Sequence, residues 1–527
     1  MKDKRGYIPF LVILVCCVFC LSLAAETEAE IKELVGKFDK EDFIESAGDD
    51  KVLAVSLNEC IEYSLKNNLE IEISRENPYL FSEDVKIARA EFELKFTTEL
   101  NFTDSSDPSN SLPAMLGNVV LSVPEERDTY RIGNLDFGVS GKIITGAAYE
   151  LYFNNNRYKS NSGSFKYNPS YFSEAGLTVT QPLLRDFGTY INRAEIVIAQ
   201  NNYAVSSEEF QQTVMNIVSE TKEIYFNCIF ARDAHSIAKD HLKLARELYG
   251  INKKRYEKGL VSSVELLESE SAEAGRMSYV IESESAMRNT EDQLKFITNL
   301  VSDSKLWNAK FKFVDSPVFD IVEVNLVGEL KNAFEYRPDY KATIISLQNN
   351  NIRIKVAENA TLPTLDLTGS FGLNGLGRDV KKAVENIDYK HKDWYAGIKL
   401  EIPWGGGERA EHEKRQLEKA VALLGLKNLE HNIILDVRNK AREVEVQKRQ
   451  VEAAGLFKDT AIKNYEAQKK RFNAGQVSTH DMLDYQDNLS EAKLEHLRAV
   501  TGYQIALIKL DKASGVVFIK NKIRLEE

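Results

Sequence analysis

Three carboxylates are the clearest candidates for functional side chains in this sequence: Glu265, Asp481 and Asp484. Glu265 and Asp481 fall at equivalent places in two similar segments, each just after a pair of hydroxyl residues that can cap a helix. Negative charge in the first turn of a helix suits the helix dipole, so capping accounts for both residues. Capping accounts less well for Asp484, one turn further on.

The rest of the sequence lacks the patterns of an enzyme. Its seven histidines are scattered, and no HExxH, GxSxG or Walker motif occurs. A metal ion at His480 and Asp481 is one alternative, but we expect solvated side chains there. His235 lies on an apolar heptad position and is expected to be packed or to face an interior channel. We predict no catalytic residue, cofactor or metal.

These carboxylates lie within, or directly after, two turn segments that repeat each other. RYEKGLVSSVELL starts at Arg255 and RFNAGQVSTHDML at Arg471, an offset of 216 residues. The glycine in each suits the left-handed position that ends a helix, and the serines that follow can cap a returning helix. The sequence therefore predicts one long helical hairpin, built twice. The predicted tip residues are Arg255, Gly259, Leu260, Ser262, Leu266, Arg471, Gly475, Ser478 and Leu483.

Long helices must position these turns. Two tracts of the chain contain no proline, which favours long helices. We predict helices over 189–257, roughly 100 Å at 1.5 Å per residue, and over 408–473. An apolar heptad runs from Val214 to Tyr249, and a second seven-spaced stripe runs from Phe230 to Ile251. Two stripes give a helix two flanks to bury, as in a ring of helices.

Between the helical tracts, the hydrophobic period changes to two. The alternation predicts strands over 92–103, 135–143, 149–153, 177–181, 365–373 and 394–402. One interpretation is a sandwich sheet with one face in a core. The other is a transmembrane β-barrel with lipid outside and water inside. The N-terminal signal sequence, the aromatic strand ends and the long polar loops favour the barrel.

Each sheet region ends in proline, then glycine, then helix. Proline can end a strand ladder, and glycine permits a sharp bend into the helix. A phosphate-binding interpretation of the GGG segment is disfavoured because no GK[ST] follows and Glu408 would repel an anion. The residues of these strand-to-helix transitions are Pro182, Gly188, Pro403, Gly405, Gly406 and Gly407.

Composition and the N-terminus indicate export. A formal charge of -12 and a pI near 5.4 argue against a nucleic-acid binder. Residues 1–25 have the basic start, apolar run and small-residue end of a signal peptide, and 26–54 form an acidic leader. A lipoprotein is the alternative, because cysteines lie in this segment at Cys16, Cys17 and Cys20. Cys60 and Cys228 are expected as buried free thiols, with a bridge between them as the alternative.

The ordered duplicate of helix, strands, QPL…G or IPWGGG, long helix, tip motif and return helix resembles the TolC-like outer-membrane efflux proteins. The resemblance implies an α+β membrane protein, with a trimeric transmembrane β-barrel continuous with a periplasmic helical barrel. It implies a first repeat at 55–315, a second at 316–517 and a tail at 518–527. The function implied is an outer-membrane exit duct of a tripartite efflux or type I secretion system.

The same resemblance implies partners and site roles. The partners are two further copies, outer-membrane lipid, a periplasmic adaptor that contacts the tips, and an inner-membrane pump of the RND, ABC or MFS type. Nucleic acid is not a partner. An acidic ring at the tunnel entrance would comprise Asp481 and Asp484, with Glu265 in the acidic position of the first tip.

The sequence departs from the family pattern in two places. Val477 and Phe472 occupy the positions where well-known members lock the entrance with an arginine and a tyrosine. The first half is also 53 residues longer than the second from first helix to tip arginine, which predicts an extra hairpin near 135–153, either in the barrel or as a loop. A periplasmic coiled-coil spacer without a pore is the alternative function.

Overall fold

The computed structural model describes residues 52–108, 114–116, 119–122, 127–161, 165–300, 309–316 and 319–524. The predicted signal peptide, the cysteines within it and nearly all of the leader lie outside these residues. The helices are α1 Leu57–Asn67, α2 Leu69–Arg89, α3 Thr189–Asn192, α4 Ala194–Glu257, α5 Ser263–Ile297, α6 Leu326–Tyr336, α7 Pro338–Ala360, α8 Val380–Glu385, α9 Gly407–Asn473, α10 Thr479–Ala513 and α11 Val517–Asn521.

The strands lie between these helices. They are β1 Val52–Val55, β2 Lys95–Pro108, β3 Ala114–Leu116, β4 Val119–Ser122, β5 Arg127–Lys142, β6 Ala148–Ser160, β7 Ser170–Pro182, β8 Lys310–Phe313, β9 Thr364–Gly377 and β10 Lys392–Glu401.

The chain divides into two compact units. We call the described parts of 52–69, 217–321 and 446–508 the helical unit, and those of 70–216, 322–445 and 509–524 the sheet unit. Each unit draws segments from both predicted repeats, because α4 and α9 each contribute residues to both units. No helix in the described part of the chain is both long enough and apolar enough to span a bilayer.

The helical unit is built on the predicted heptad. Ile217, Cys228, Ala238 and Ala245 of α4 are all buried, as that pattern requires. Near the turns, the core consists of Leu248, Ala461, Tyr465, Phe472, Met482, Leu483, Leu489 and Ala492.

A small parallel sheet, which the sequence interpretation missed, also lies in the helical unit. It pairs β1 with β8, so β1 begins inside the predicted leader. Asp315 just after β8 accepts hydrogen bonds of 2.8 Å from the Leu57 backbone and the Tyr225 hydroxyl. These long-range contacts hold the start of α1 beside α4.

The sheet unit contains one antiparallel sheet of six strands in the order β10-β9-β7-β6-β5-β2. The extra hairpin is therefore part of this sheet: β5 pairs with β2 on one side, and β6 pairs with β7 on the other. A separate two-stranded hairpin, β3–β4, lies in the connection from β2 to β5. The first half contributes four strands to the main sheet and the second half two.

The two faces of this sheet differ sharply in polarity. Following the register across all six strands, one row is Phe96, Val139, Leu151, Leu177, Phe371 and Trp394. The large side chains of this apolar face are exposed, with Phe96 at 79% and Trp394 at 74%. The opposite, polar face carries a row of Glu99, Asp136, Asn154, Glu174 and Asn374. Buried sandwich sheets do not leave an apolar face in contact with solvent.

Several predicted boundaries shift. The first strand starts at Lys95, because Ala90–Phe92 forms a 3-10 turn, and the other strands of the sheet extend beyond their predicted cores by up to eight residues. The helix predicted over 189–257 is interrupted at Arg193, which separates α3 from α4. Short polar interruptions of this kind leave little trace in hydrophobic periodicity.

Candidate functional site at the paired hairpin tips

Both predicted turns end a long helix in the same way. At the first, Gly259 has φ +70°, and the Leu260 amide donates to the Arg255 carbonyl at 2.9 Å. At the second, Gly475 has φ +73°, and the Gln476 amide donates to the Arg471 carbonyl at 3.0 Å. This pattern is the Schellman motif, in which a left-handed residue lets the chain satisfy the last carbonyls of the helix. The predicted helix-ending role of both glycines is confirmed.

The returning helices start at the predicted serines. Ser262 Oγ accepts from the Glu265 amide at 3.2 Å, and Ser478 Oγ accepts from the Asp481 amide at 3.1 Å. The Asp481 carboxylate accepts in return from the Ser478 amide at 3.4 Å, which completes a reciprocal cap, and also from the Ser478 hydroxyl at 2.7 Å. These hydrogen bonds hold the pKa of Asp481 below its ordinary value.

Glu265 does not cap its own helix with its carboxylate. Its Oε2 accepts from the hydroxyl of Thr479 at 3.2 Å, and Thr479 in turn accepts from the amide of buried Asn252 at 3.0 Å. The three residues come from α5, α10 and α4, so this chain of hydrogen bonds joins the two tips. Capping therefore explains Asp481 but not the carboxylate of Glu265.

Arg255 makes a second link between the tips. Its guanidinium lies 4.6 Å from the ring centroid of Phe472 and donates to the Phe472 carbonyl at 3.2 Å. A cation over an aromatic face gains about 0.5–2 kcal/mol, more when water is excluded. Phe472 is buried and therefore has a packing role, at the position where the family resemblance implied a locking tyrosine. Val477, the other departure from that lock, packs against the same core.

The two tips expose different surfaces. The first presents apolar side chains to solvent at Tyr256, Leu260, Val264 and Leu267, with Leu260 exposed at 70%. The second presents polar groups, and Asp484 is exposed there with His480 3.9 Å from it. Among the predicted tip residues Gly259, Ser262, Arg471, Gly475 and Ser478 are exposed and Leu266 is half-buried. Leu483 is buried in the core, where it supports the turn and is not available as surface.

A buried polar cluster, which sequence reasoning missed, ties the hairpins together further along the helices. Arg276 of α5 donates to the Asp487 carboxylate at 2.7 Å and to the Gln486 side chain, both on α10. His241 of α4 lies 2.9 Å from the same carboxylate. The repeat offset could have identified this cluster from the sequence. It aligns Arg276 with Ala492, which is buried, and a charged residue is unusual at a buried position.

The other titratable candidates have structural surroundings. His235 is buried, and its Nδ1 lies 2.8 Å from the Ser283 hydroxyl; burial lowers its pKa. It is therefore a packed residue. In the described part of the chain, no three potential metal ligands lie together.

The two strand-to-helix transitions differ. Pro182 is the last residue of β7, and Gly188 has φ +98°, so this bend uses glycine as predicted. In the second transition, Gly405, Gly406 and Gly407 do not have positive φ, and a side chain at each would meet open space. The bend after Pro403 therefore does not depend on the special backbone freedom of glycine.

Comparison with known proteins is consistent with this architecture. The sequence profile of outer membrane efflux proteins matches residues 148–300 and 330–516. The chain is 23% identical to Nodulation protein T of Rhizobium leguminosarum bv. trifolii over 63% of its own length and 69% of that protein. It is 21% identical to outer membrane protein TolC of Escherichia coli over 61% of its length and 66% of that protein. The chain thus spans about two thirds of these relatives.

Solved structures share the fold. The CmeC outer membrane channel of Campylobacter jejuni superposes with a TM-score of 0.62 at 18% identity, over 87% of this chain and 85% of that one. The profile match covers more than half of the chain and includes both hairpin tips. The protein therefore belongs to the outer membrane efflux protein family, whose members are outer-membrane channels and not enzymes.

Proposed function

We propose that three copies of this protein form a passive exit duct, with a shared β-barrel in the outer membrane and a helical barrel that extends into the periplasm. A periplasmic adaptor couples the duct to an inner-membrane transporter of the RND, ABC or MFS type. One observation carries the proposal: in a chain of this family, a sheet of long strands has one exposed apolar face and one polar face. Such a sheet suits the boundary between lipid and a water-filled lumen.

The surfaces of the tips support the coupling. The exposed apolar residues of the first tip, including Leu260 and Val264, suit contact with another protein, because patches of this kind mark interaction sites. Gly259 and Ser262 of the first turn and Gly475 and Ser478 of the second are also exposed. The adaptor would contact this combined surface.

The second tip supplies the entrance ring. In three copies, Asp481 and Asp484 place six carboxylates around the axis, and a ring of carboxylates favours cations and binds divalent ions. Glu265 is engaged with Thr479 and contributes to the link between tips. The hydrogen bonds from Ser478 lower the pKa of the Asp481 carboxylate.

Planar-bilayer recordings test the duct and its ring. Asp481→Ala combined with Asp484→Ala should raise the single-channel conductance and weaken block by divalent cations. The matched control replaces Glu270 and Glu282, two exposed carboxylates of α5, and should leave divalent block unchanged. Unchanged block in the ring variant would remove the ring from the mechanism. A soluble periplasmic monomer that never conducts would instead support the coiled-coil spacer.

Cross-linking in cells tests the partner. A photo-reactive residue at Gln476, exposed in the second turn, should capture a periplasmic adaptor whose pump then identifies the system. The same probe at Leu483 should capture nothing outside the protein, because that side chain is buried. Equal capture from both positions would contradict an adaptor surface at the turn.

A further inference from the structure

Within the described residues, the six-stranded sheet is open, with β2 and β10 as its two edges. Its strands have between 10 residues, in β10, and 16, in β5. About 9–11 tilted residues suffice to cross the hydrocarbon core of a bilayer, so every strand is long enough. An open edge in lipid leaves backbone N–H and C=O groups without hydrogen bonds, because the hydrocarbon core contains no water to replace them. Both edges therefore require strand partners.

The sheet cannot supply these partners by closing on itself. Barrels of roughly eight strands have an interior just wide enough for side chains, and six strands fall below that limit. Successive strands are antiparallel, so β2 and β10 run in opposite directions. The β2 edge of one copy can therefore form an antiparallel ladder with the β10 edge of another copy.

On the apolar face, the large apolar side chains of the six strands form a band, which we call the apolar band. This band crosses the sheet obliquely. Its midpoint lies at Glu99 in β2, between Phe96 and Phe102, and the strand register leads from Glu99 to Glu174 in β7. In β10 the midpoint lies at Gly397, and the register leads from there to Thr180 in β7. The band thus drifts by the six residues from 174 to 180 over the five strand steps between the edges.

This drift matches the wall of a membrane barrel. At about 3.3 Å per residue, a drift of six residues is about 20 Å along the strand direction. The distance across the sheet, over five strand spacings, is about 24 Å. If the band is level with the bilayer, the strands are tilted by about 40°, inside the range of about 35–45° seen in transmembrane barrels. All six strands, including β5 and β6, follow one continuous band of this kind.

The extra hairpin is also built into the base of the sheet. Its turn carries Gly146, with φ +97°, where an added side chain would collide with the Asp186 carbonyl. The Gly188 amide donates to the Thr145 carbonyl at 3.0 Å, and the Thr145 hydroxyl donates to Gln181 at 3.3 Å. The β5–β6 turn is thus held by the segment that leads from β7 into α3.

We propose that each copy contributes all six strands to one barrel of 18 strands, in which β2 of each copy pairs with β10 of the next. The proposal rests on the trimeric duct proposed above and defines its wall. At about 4.8 Å per strand and a tilt of about 40°, 18 strands enclose a backbone diameter of about 36 Å. Without β5 and β6, 12 strands would enclose about 24 Å, so the extra hairpin roughly doubles the cross-section of the lumen.

Disulfide trapping across the proposed edge is the test. In the full-length protein, the apolar-face residues Phe96, Thr98 and Leu100 of β2 are each changed to Cys in combination with Trp394, Ala396 or Ile398 of β10. Oxidation should link neighbouring copies and end at a covalent trimer on a denaturing gel. In an antiparallel ladder, residue numbers rise along one strand as they fall along the other. If Thr98 links to Ala396, Leu100 must therefore link to Trp394 and Phe96 to Ile398.

The matched control places one cysteine on the wrong face. Thr98→Cys combined with Lys399→Cys should link at least tenfold less, because residues of opposite parity point to opposite sides of a sheet. Links that end at two copies would overturn the 18-stranded barrel. Absence of links in protein that still conducts would overturn the strand count alone and leave the exit duct standing. A non-conducting soluble monomer would overturn both.

A second measurement avoids substitutions altogether. Electron cryo-microscopy of the unmodified protein in lipid nanodiscs counts the strands directly. Eighteen strands, with β5 and β6 in the wall, support the proposal. A barrel of 12 strands with the hairpin outside the wall overturns it.

Discussion

The carboxylate of Asp487 lies 2.7 Å from the guanidinium of Arg276, and this ion pair joins α10 to α5. Arg276 is buried, whereas Asp487 remains 60% exposed and also receives His241 at 2.9 Å. The buried guanidinium therefore depends on a partner from the other hairpin. A buried charge that loses its partner retains its desolvation cost, which makes the pair sensitive to substitution on either side.

We expect Asp487→Asn to destabilise the helical unit by about 1–3 kcal/mol, because Arg276 keeps only neutral acceptors. Denaturant unfolding followed by circular dichroism measures the change. Asp484→Asn makes the same chemical change at an exposed site on α10 and should shift stability by less than about 0.5 kcal/mol. Equal losses in the two variants would contradict a special role for the ion pair.

The ion pair also predicts a pH dependence. Burial alone raises the pKa of Asp487, but the close contact with His241 and the charge and hydrogen bond of Arg276 outweigh burial and hold the pKa of Asp487 below its ordinary value. Because the folded pKa is lowered, the stabilisation is complete above the unfolded value and is lost as pH falls through the folded value. The difference between wild type and Asp487→Asn should therefore shrink below about pH 4. A constant difference would sink this account.

Alanine substitution should change stability in opposite directions at the two turn glycines and at a glycine inside a helix. Gly259→Ala and Gly475→Ala should each cost about 1–2 kcal/mol, because both positions have positive φ. Gly250→Ala, inside α4 and equally open around the added carbon, should stabilise by about 0.5–1 kcal/mol. Thermal unfolding of the three variants separates the effect of backbone strain from that of steric crowding by the added methyl group. A loss at Gly250 as large as at the turns would refute the assignment.

The cysteines should be unreactive in the folded protein. Cys60 and Cys228 are buried free thiols, as the sequence predicted, and burial raises the pKa of each to about 12. Almost no thiolate is present at neutral pH, and thiolate is the reactive form. A charged maleimide should therefore label neither residue until denaturant is added, as mass spectrometry can measure. Rapid labelling of either thiol in native protein would show that this region opens.

The tips show why part of the site could be predicted. The Schellman turns and serine caps depend on residues within six positions of one another, so glycine and serine spacing was sufficient. The links from Arg255 to Phe472 and from Glu265 to Thr479 join residues more than 200 positions apart. Spacing carries no information about which side chains meet after the hairpins pack. Periodicity therefore placed the carboxylates, whereas their partners required the structure.

By itself, the sequence determined the elements: two long helical hairpins with matching turns, and two-period strands between the helical tracts. These follow from local backbone preferences and from hydrophobic periodicity, which act over a few residues. Only the tertiary structure decided that β5 and β6 enter the main sheet, that Arg276 meets Asp487, and that the apolar band drifts across six strands. Each of these depends on pairing between segments distant in the chain, where register and packing, and not local preference, select the partner.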